Sequence, residues 1–283
     1  MEKITVCANA KINWALNITG RRADGYHLLD MVMQSIALSD ELSFESADAL
    51  SLWVDGAGRA GEDNLILRAA DALNRHTGGR RGARMTLVKR IPERAGLGGG
   101  SADCALALRA LNALWALGLT DAELLAIGEK LGADVPFCLT GGLARVSGIG
   151  ERIEPVPDAP EIPLVLVRVG DGLSTAAVFR LWDGGGFPEV RLDGAALAEA
   201  IVKRDFEAID GLCVNALTAP AVALLPEIGE RIAQLRALGA GAAFMTGSGS
   251  AVVGAFDDAE AARRAAEGIP GAMLTGTLQL RVP

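Results

Sequence analysis

The sequence has few cysteines, histidines and aromatic residues, and it lacks any long apolar run. Its two histidines, His27 and His76, are too few for a His-rich metal site. No apolar run reaches about 18 residues without a charge, so no membrane span is predicted. The cysteines are far apart without a CxxC pair, which argues against disulfides and zinc and predicts reduced, buried thiols. They are Cys7, Cys104, Cys138 and Cys213.

Basic charge is also scarce, with 27 Lys and Arg against 35 Asp and Glu and a net charge of −8. Proteins that bind nucleic acids usually need a basic face, so no nucleic-acid partner is expected. Residues 1–5 lack the basic and apolar regions of a signal peptide, which predicts a cytoplasmic protein. A hydrophobic content of 50% over 283 residues suits a chain with a sizeable core and roughly two domains.

Strands and helices alternate in both halves, which indicates an α+β or α/β fold. Residues 3–18 predict a half-buried strand, since Ile12 and Trp14 alternate with Lys11 and Asn13. Lys11 and Asn13 should therefore share a polar face. Four prolines at 154–164 predict a linker, which places domains at 1–154 and 155–283. A last strand at 275–282 could return to the first domain.

The glycine-rich segment 96–103 carries the strongest functional signal. It follows a predicted strand at 84–91 and precedes an apolar helix at 102–117, for which Ser101 is the expected N-cap. Glycine backbones and a helix N-terminus together favour binding of phosphate oxygens. The segment lacks the Lys of a Walker A loop and the spacing of a Rossmann fingerprint. The alternative is a flexible surface loop.

Further elements follow from capping and turn signals. Thr120 and Glu123 have capping-box spacing, which predicts a helix at 121–131 that ends near Gly132. Asp134 should lie in an extended loop before Pro136. In the second half, we expect strands at 164–169, 242–245 and 251–256, the last two joined by residues 246–250. Helices are expected at 227–238 and 258–267.

Three segments resemble the motifs of the GHMP kinases. They are Ala10–Asn13, Pro92–Ala102 and Met245–Ser250, in that order. Gly20–His27, Gly132–Phe137 and Gly148–Glu151 resemble one branch of the family, whose acceptor is a cytidyl diphosphate sugar alcohol. The chain departs from the pattern at Asn9, Met33 and Cys138. The resemblance implies an α+β, two-domain GHMP kinase fold, with an N-terminal ribosomal-S5-like ATP-binding half and a C-terminal ferredoxin-like half.

The resemblance also implies ATP-dependent phosphorylation of the 2-hydroxyl of that sugar alcohol, in the non-mevalonate route to isoprenoid precursors. Mg²⁺ is expected with ATP. The enzyme would be a monomer or homodimer with no nucleic-acid or membrane partner. Two alternatives stay open: a GHMP kinase for another alcohol such as homoserine, and a non-catalytic nucleotide-binding regulator.

The same resemblance implies the site residues. Lys11 and Asp134 would be catalytic, with Lys11 stabilising Asp134 as a carboxylate. ATP would contact Asn64 and the motif residues Pro92, Ala95, Gly96, Leu97, Gly98, Gly99, Gly100, Ser101 and Ala102. The acceptor would contact Asn13, Tyr26, His27, Thr175 and Phe179. Taken singly, simpler interpretations remain for several of these residues: a solvated strand residue for Lys11, a turn carboxylate for Asp134, a helix N-cap for Asn64, loop packing for Tyr26 and His27, and the core for Phe179.

Overall fold

The computed structural model describes residues 3–279. Contacts divide the chain into two compact units that interleave in sequence. Unit 1 contains the described residues up to Ala10 with Leu38–Ile91 and Gly98–Thr140, and unit 2 contains Lys11–Ala37, Pro92–Leu97 and the chain from Gly141 onward. A single cut near residue 154 does not separate these units. The expected boundary between family domains stays a prediction.

Two long strands, β1 (Lys3–Arg21) and β2 (His27–Ala47), contribute residues to both units. The predicted strand at 3–18 is therefore present but longer. It is not half-buried, because the residues from Lys11 to Leu16 are buried on both faces. Its neighbour β2 was not predicted. Its apolar residues change spacing along its length, so no single period marks a 21-residue strand.

Unit 1 combines a small sheet with four helices. The elements are β3 (Ser51–Val54), β4 (Gly58–Arg59), α1 (Leu65–Thr77), β5 (Gly82–Val88), α2 (Gly99–Leu114), α3 (Asp121–Glu129) and α4 (Val135–Thr140). In this unit β2 pairs antiparallel with β5, β5 pairs parallel with β3, and β3 pairs antiparallel with β4. Helices α1 and α2 pack on each other, and their apolar faces join the strands in one core that includes Phe44, Leu73 and Leu108.

The elements of unit 2 beyond β1 and β2 are β6 (Leu143–Gly148), β7 (Arg152–Val156), β8 (Pro163–Arg168), α5 (Thr175–Asp183), α6 (Gly194–Lys203), α7 (Phe206–Leu212), α8 (Thr218–Leu224), α9 (Glu227–Ala237), β9 (Ala242–Met245), β10 (Ala251–Ala255), α10 (Ala259–Glu267) and β11 (Met273–Gly276). Four of these strands form an antiparallel sheet in the order β11-β8-β10-β9. In the same unit, β2 pairs antiparallel with β6 and β6 with β7.

Most predicted elements of the second half are confirmed. Helices α9 and α10 and strands β8, β9 and β10 lie within a residue or two of the expected bounds. The last strand begins at Met273 and pairs with β8, after which Thr277 bridges to Ile36 of β2. The remainder of that predicted strand, residues 280–282, lies outside the described residues.

Three local predictions in the first half need correction. Helix α2 begins at Gly99 with Gly98 as its N-cap, so Ser101 lies inside the first turn and caps nothing. Residues 135–140 form helix α4 and not an extended loop. Pro136 is tolerated there because the first helical turn leaves its N–H groups unbonded in any case. Cys7 is exposed, against the expectation of buried thiols, although all four cysteines are free.

The capping box at the start of α3 is confirmed. The Thr120 side chain accepts from the backbone N–H of Glu123, and the Glu123 carboxylate accepts from the backbone N–H of Thr120. The helix ends at Glu129, with Lys130 as its C-cap, two residues before the expected Gly132. Within residues 3–279, no helix is long and apolar enough to cross a membrane.

Candidate active site

Lys11 and Asn13 form a buried polar pair on β1. Their exposed fractions are 4% and 1%, and Lys11 Nζ donates to Asn13 Oδ1 at 2.6 Å. The shared face predicted for the two side chains is thus confirmed, whereas a solvated position for Lys11 is not. The backbone N–H of Lys11 donates to the carbonyl of Leu97 at 3.0 Å, which ties this strand to the glycine-rich segment.

The first part of the glycine-rich segment is held by backbone contacts within unit 2. A Cβ on Gly96 would lie 2.3 Å from the carbonyl oxygen of Thr246, and Gly96 has φ 76°. The N–H of Ala251 donates to the carbonyl of Ala95 at 3.0 Å, and that of Leu173 donates to Arg94 at 3.2 Å. The segment 246–250 therefore supports the first part of the glycine-rich segment. Only glycine fits at position 96, because both the space and the backbone angle exclude a side chain.

The second part of the segment forms the start of α2 in unit 1. Gly98 is the N-cap in the left-handed region, with φ 69° and no side-chain hydrogen bond to the helix. Gly99, Gly100 and Ser101 follow in the first turn, whose amide N–H groups have no partner within the helix. No acidic residue lies in that turn. This N-terminus can bind an anion such as a phosphate.

Asp134 lies in the turn that leads into α4, and its carbonyl accepts from the N–H of Cys138 at 3.0 Å. Within unit 1 this turn approaches the start of α2, since a Cβ on Gly132 would lie 3.9 Å from Ser101 Oγ. The structure therefore brings the Asp134 turn close to the proposed phosphate site. Asp134 is thus a turn residue, as the simpler interpretation had it, and its catalytic role stays a prediction.

Asn64 is the N-cap of α1, and its Oδ1 accepts from the N–H of Ile66 at 2.9 Å. The simpler of the two interpretations of this residue is therefore confirmed. Its contact with adenine stays a prediction.

A second candidate region surrounds His27 in unit 2. The His27 ring lies 4.7 Å from the Phe179 ring and 5.7 Å from the Trp182 ring between centroids, and its Nε2 lies 2.7 Å from Asp183 Oδ1. Phe179 is only half-buried, so it is not a core residue. Tyr26 is 59% exposed at the adjacent turn, so loop packing does not account for it. We refer to His27, Phe179, Trp182 and Asp183 as the His27 cluster.

Two of these residues, Trp182 and Asp183, were not predicted. Both lie on α5, one turn or less beyond Phe179. Their only signal in the sequence is a helical spacing that places them near the Phe179 side of the helix. Arg21 Nη1 also lies 3.7 Å from Asp183 Oδ2. Asp183 therefore contacts both the His27 ring and the Arg21 guanidinium.

Thr175 and the methionines near Asn13 complete the residues named from the sequence. Thr175 Oγ1 is 2.8 Å from Ser248 Oγ, so it connects α5 to the segment 246–250. Met33, one of the departures from the motif pattern, is completely buried. Met31 on the same strand is the one in contact with Asn13, whose Nδ2 lies 3.3 Å from its sulfur.

Within residues 3–279, no group of three or more His, Cys, Asp or Glu residues could hold a metal ion. The Mg²⁺ expected with ATP stays a prediction; in kinases this ion is bound by substrate phosphates, water and one or two carboxylates.

Comparisons with known proteins identify the family of the chain. The model of the GHMP kinases N terminal domain matches residues 64–142, and that of the GHMP kinases C terminal domain matches residues 197–273. A homoserine kinase from Cytophaga hutchinsonii shares the fold, with a TM-score of 0.70 at 16% identity over 99% of this chain and 95% of that one. Fold and domain models thus define a GHMP kinase, and the α+β fold expected from the sequence is confirmed.

Closer relatives narrow this class. A 4-diphosphocytidyl-2-C-methyl-D-erythritol kinase of Pelotomaculum thermopropionicum is 46% identical over 93% of this chain and 92% of its own length. That of Moorella thermoacetica is 43% identical over 98% and 100%. A crystal structure of a 4-(cytidine 5'-diphospho)-2C-methyl-D-erythritol kinase has a TM-score of 0.81 and 37% identity over 97% and 99%. The chain belongs to the 4-diphosphocytidyl-2-C-methyl-D-erythritol kinase family.

Proposed function

We propose that this kinase transfers the γ-phosphoryl group of ATP to the 2-hydroxyl of 4-diphosphocytidyl-2-C-methyl-D-erythritol, giving the 2-phosphate and ADP. The reaction belongs to the non-mevalonate route to isoprenoid precursors and takes place in the cytoplasm. The observation that carries the proposal is the start of α2, where glycine backbone and a helix N-terminus form an anion site. The acceptor is the one for which the relatives are named.

Phosphate binding by the glycine-rich segment needs no side chain. The N–H groups of the first turn of α2 donate to phosphate oxygens, while the left-handed Gly98 turns the chain into the helix. A Mg²⁺ ion bound together with ATP would offset the negative charge of the phosphates. The close approach of Gly96 to the Thr246 carbonyl supports the first part of the segment.

Asp134 accepts the proton of the 2-hydroxyl or orients that hydroxyl, and Lys11 offsets negative charge at the reacting oxygen. Burial supports the role of Lys11, because the charge of a lysine residue that is only 4% exposed acts in a medium of low dielectric constant. Asn13 fixes the Lys11 ammonium through its Oδ1 atom and so limits the positions that it samples. Phosphoryl transfer depends on such positioning more than on covalent chemistry.

The His27 cluster and Tyr26 bind the cytosine base. Tyr26 offers an exposed ring for stacking, and Phe179 offers a second half-buried ring. The Asp183 carboxylate can only accept a hydrogen bond, so His27 Nε2 carries a proton and His27 Nδ1 is left to bond the base edge. Thr175 lies at the start of the same helix as Phe179.

A substrate panel tests the proposal. The purified enzyme with MgATP is offered the cytidyl acceptor, its uridyl analogue, homoserine and no acceptor, and ADP release is measured. Turnover with the cytidyl acceptor alone is the expected result. Turnover with homoserine would instead assign the other GHMP activity, and ATP binding without turnover on any acceptor would indicate a nucleotide-binding regulator.

A further inference from the structure

A buried cluster of three charges lies beneath the glycine-rich segment in unit 1. Lys89 Nζ contacts Asp40 Oδ2 and lies 3.1 Å from Asp103 Oδ2. The side chains of Asp40 and Asp103 are 0% and 5% exposed, and that of Lys89 is 21% exposed. We call these three residues the charged clamp. No motif in the sequence pointed to them.

The charged clamp connects the two ends of the chain that carries the glycines. Lys89 directly follows β5, before the segment begins, whereas Asp103 lies in α2, just after its first turn. Asp40 Oδ1 accepts from the N–H groups of Arg90 at 2.5 Å and Ile91 at 2.8 Å. Asp40 of β2 therefore fixes the entry of the segment, and Lys89 connects that entry to the helix.

The ammonium group also lies next to the glycines themselves. A Cβ on Gly99 would be 3.3 Å from Lys89 Nζ and 3.0 Å from Ile91 Cγ2. Movement of Lys89 or Ile91 would therefore be transmitted to the first residue of α2. The amide groups proposed to bind phosphate start at this residue.

The composition of the clamp argues against a role in stability alone. One ammonium group contacts two buried carboxyl groups. Burial raises the pKa of Asp103 to about 7, even though Lys89 opposes that shift. Buried ion clusters of this kind seldom stabilise a fold more than apolar residues of equal volume would. A function in positioning accounts better for their presence.

We propose that Asp40, Lys89 and Asp103 are positioning residues, which hold the N-terminus of α2 in the shape that binds the triphosphate of ATP. This inference rests on the proposed function, in which that N-terminus is the phosphate site. The clamp acts on ATP through the backbone of the glycine-rich segment. Its loss affects ATP and spares the acceptor.

Two substitutions of Asp103 test the proposal. Asp103→Ala cannot reach Lys89, while Asp103→Asn keeps an oxygen that accepts its hydrogen bond. Asp103→Ala is expected to raise the KM for ATP, and the Kd of a non-hydrolysable ATP analogue, by about tenfold. The KM for the cytidyl acceptor should not change, and Asp103→Asn should recover most of the ATP affinity. Asp103→Ser replaces Asp103→Ala if the latter does not fold.

Asp121→Asn is the matched control, because it removes the exposed ion pair between Asp121 of α3 and Arg109, which lies on α2 as Asp103 does. It leaves the glycine-rich segment untouched. It should bind ATP normally. The proposal is overturned if folded Asp103→Ala or Asp103→Ser binds the analogue like the wild type, or if both KM values rise equally. Analogue binding by a wild type that does not phosphorylate the cytidyl acceptor would contradict the proposed function and leave the clamp testable.

Discussion

The glycine-rich segment and the His27 cluster are built in different ways. The segment depends on backbone geometry: positive φ angles at Gly96 and Gly98, and the close approach of Gly96 to Thr246. The His27 cluster consists of side chains from a turn and a helix, and Tyr26 beside it is largely exposed. In the function proposed above, phosphate binding would thus depend on the conformation of the chain, whereas base selection would depend on a few side chains that can be exchanged singly.

The largest effect is expected from Asp134, a side chain beside the glycine-rich segment that tests whether that site depends on backbone geometry alone. Asp134→Asn should reduce kcat by about 10²-fold or more, the usual scale for a general base, because an amide accepts no proton. ATP affinity, measured by calorimetry, should be nearly unchanged. Glu129→Gln, an exposed change near the end of α3, is the control. Near-normal kcat in folded Asp134→Asn would remove Asp134 from the mechanism.

A second prediction tests whether backbone geometry controls ATP binding. Gly96→Ala forces a Cβ against the Thr246 carbonyl and an alanine into φ 76°. It should lower the free energy of unfolding by about 1–3 kcal/mol and weaken ATP binding. Gly100→Ala is the matched control for stability, since the nearest atom to its Cβ is Leu65 Cδ1 at 3.7 Å. Equal stability of Gly96→Ala and wild type in urea titrations would refute the steric argument.

A third prediction concerns how the stability of the protein depends on pH through Asp103 of the charged clamp. The folded-state pKa of Asp103 is raised to about 7 from 3.8 because the carboxyl is buried. Its stabilising contribution is full below pH 4 and is lost as pH rises through 7. Unfolding free energy should thus fall by about 2 kcal/mol between pH 5 and pH 8. Asp103→Asn, measured by urea titration at both pH values, should lose most of this dependence. A full dependence in that variant would assign it to another group.

The same contrast explains what the sequence could predict. Glycines that need positive φ angles are visible in the sequence, so the glycine-rich segment was recognised as a candidate phosphate site, although its helix begins two residues before the expected N-cap, Ser101. The charged clamp left no mark, because Asp40, Lys89 and Asp103 come from three elements and meet only in the fold. Helices α7 and α8 were not predicted, since at seven residues each they depend on tertiary packing more than on propensity.

Beside the His27 cluster, Tyr26→Ala should raise the KM for the cytidyl acceptor by about ten- to a hundredfold, the range of one stacking contact. The KM for ATP should stay the same, and Tyr26→Phe should keep most of the affinity. Trp53→Ala is a matched control, because this aromatic residue on β3 is 52% exposed, close to the 59% of Tyr26. A rise in the KM for ATP instead would place Tyr26 in the donor site.

The smallest effect is expected from Asp183, which reaches the base only through His27. The bond from His27 Nε2 to Asp183 Oδ1, at 2.7 Å, fixes both the ring orientation and the nitrogen that carries the proton. In Asp183→Asn the amide can offer either an oxygen or an NH₂ group, so the ring is free to adopt both tautomers. Only one of them presents the required atom to cytosine.

We therefore expect Asp183→Asn to raise the KM for the cytidyl acceptor by about three- to tenfold, the cost of one weakened hydrogen bond. It should also narrow the preference for the cytidyl over the uridyl acceptor, which a loss of packing alone would not do. Glu154→Gln removes another exposed ion pair of unit 2, with Arg145, and serves as the control. If Asp183→Asn keeps its full preference for cytosine, His27 orientation does not select the base, and selection depends on backbone in this region as well.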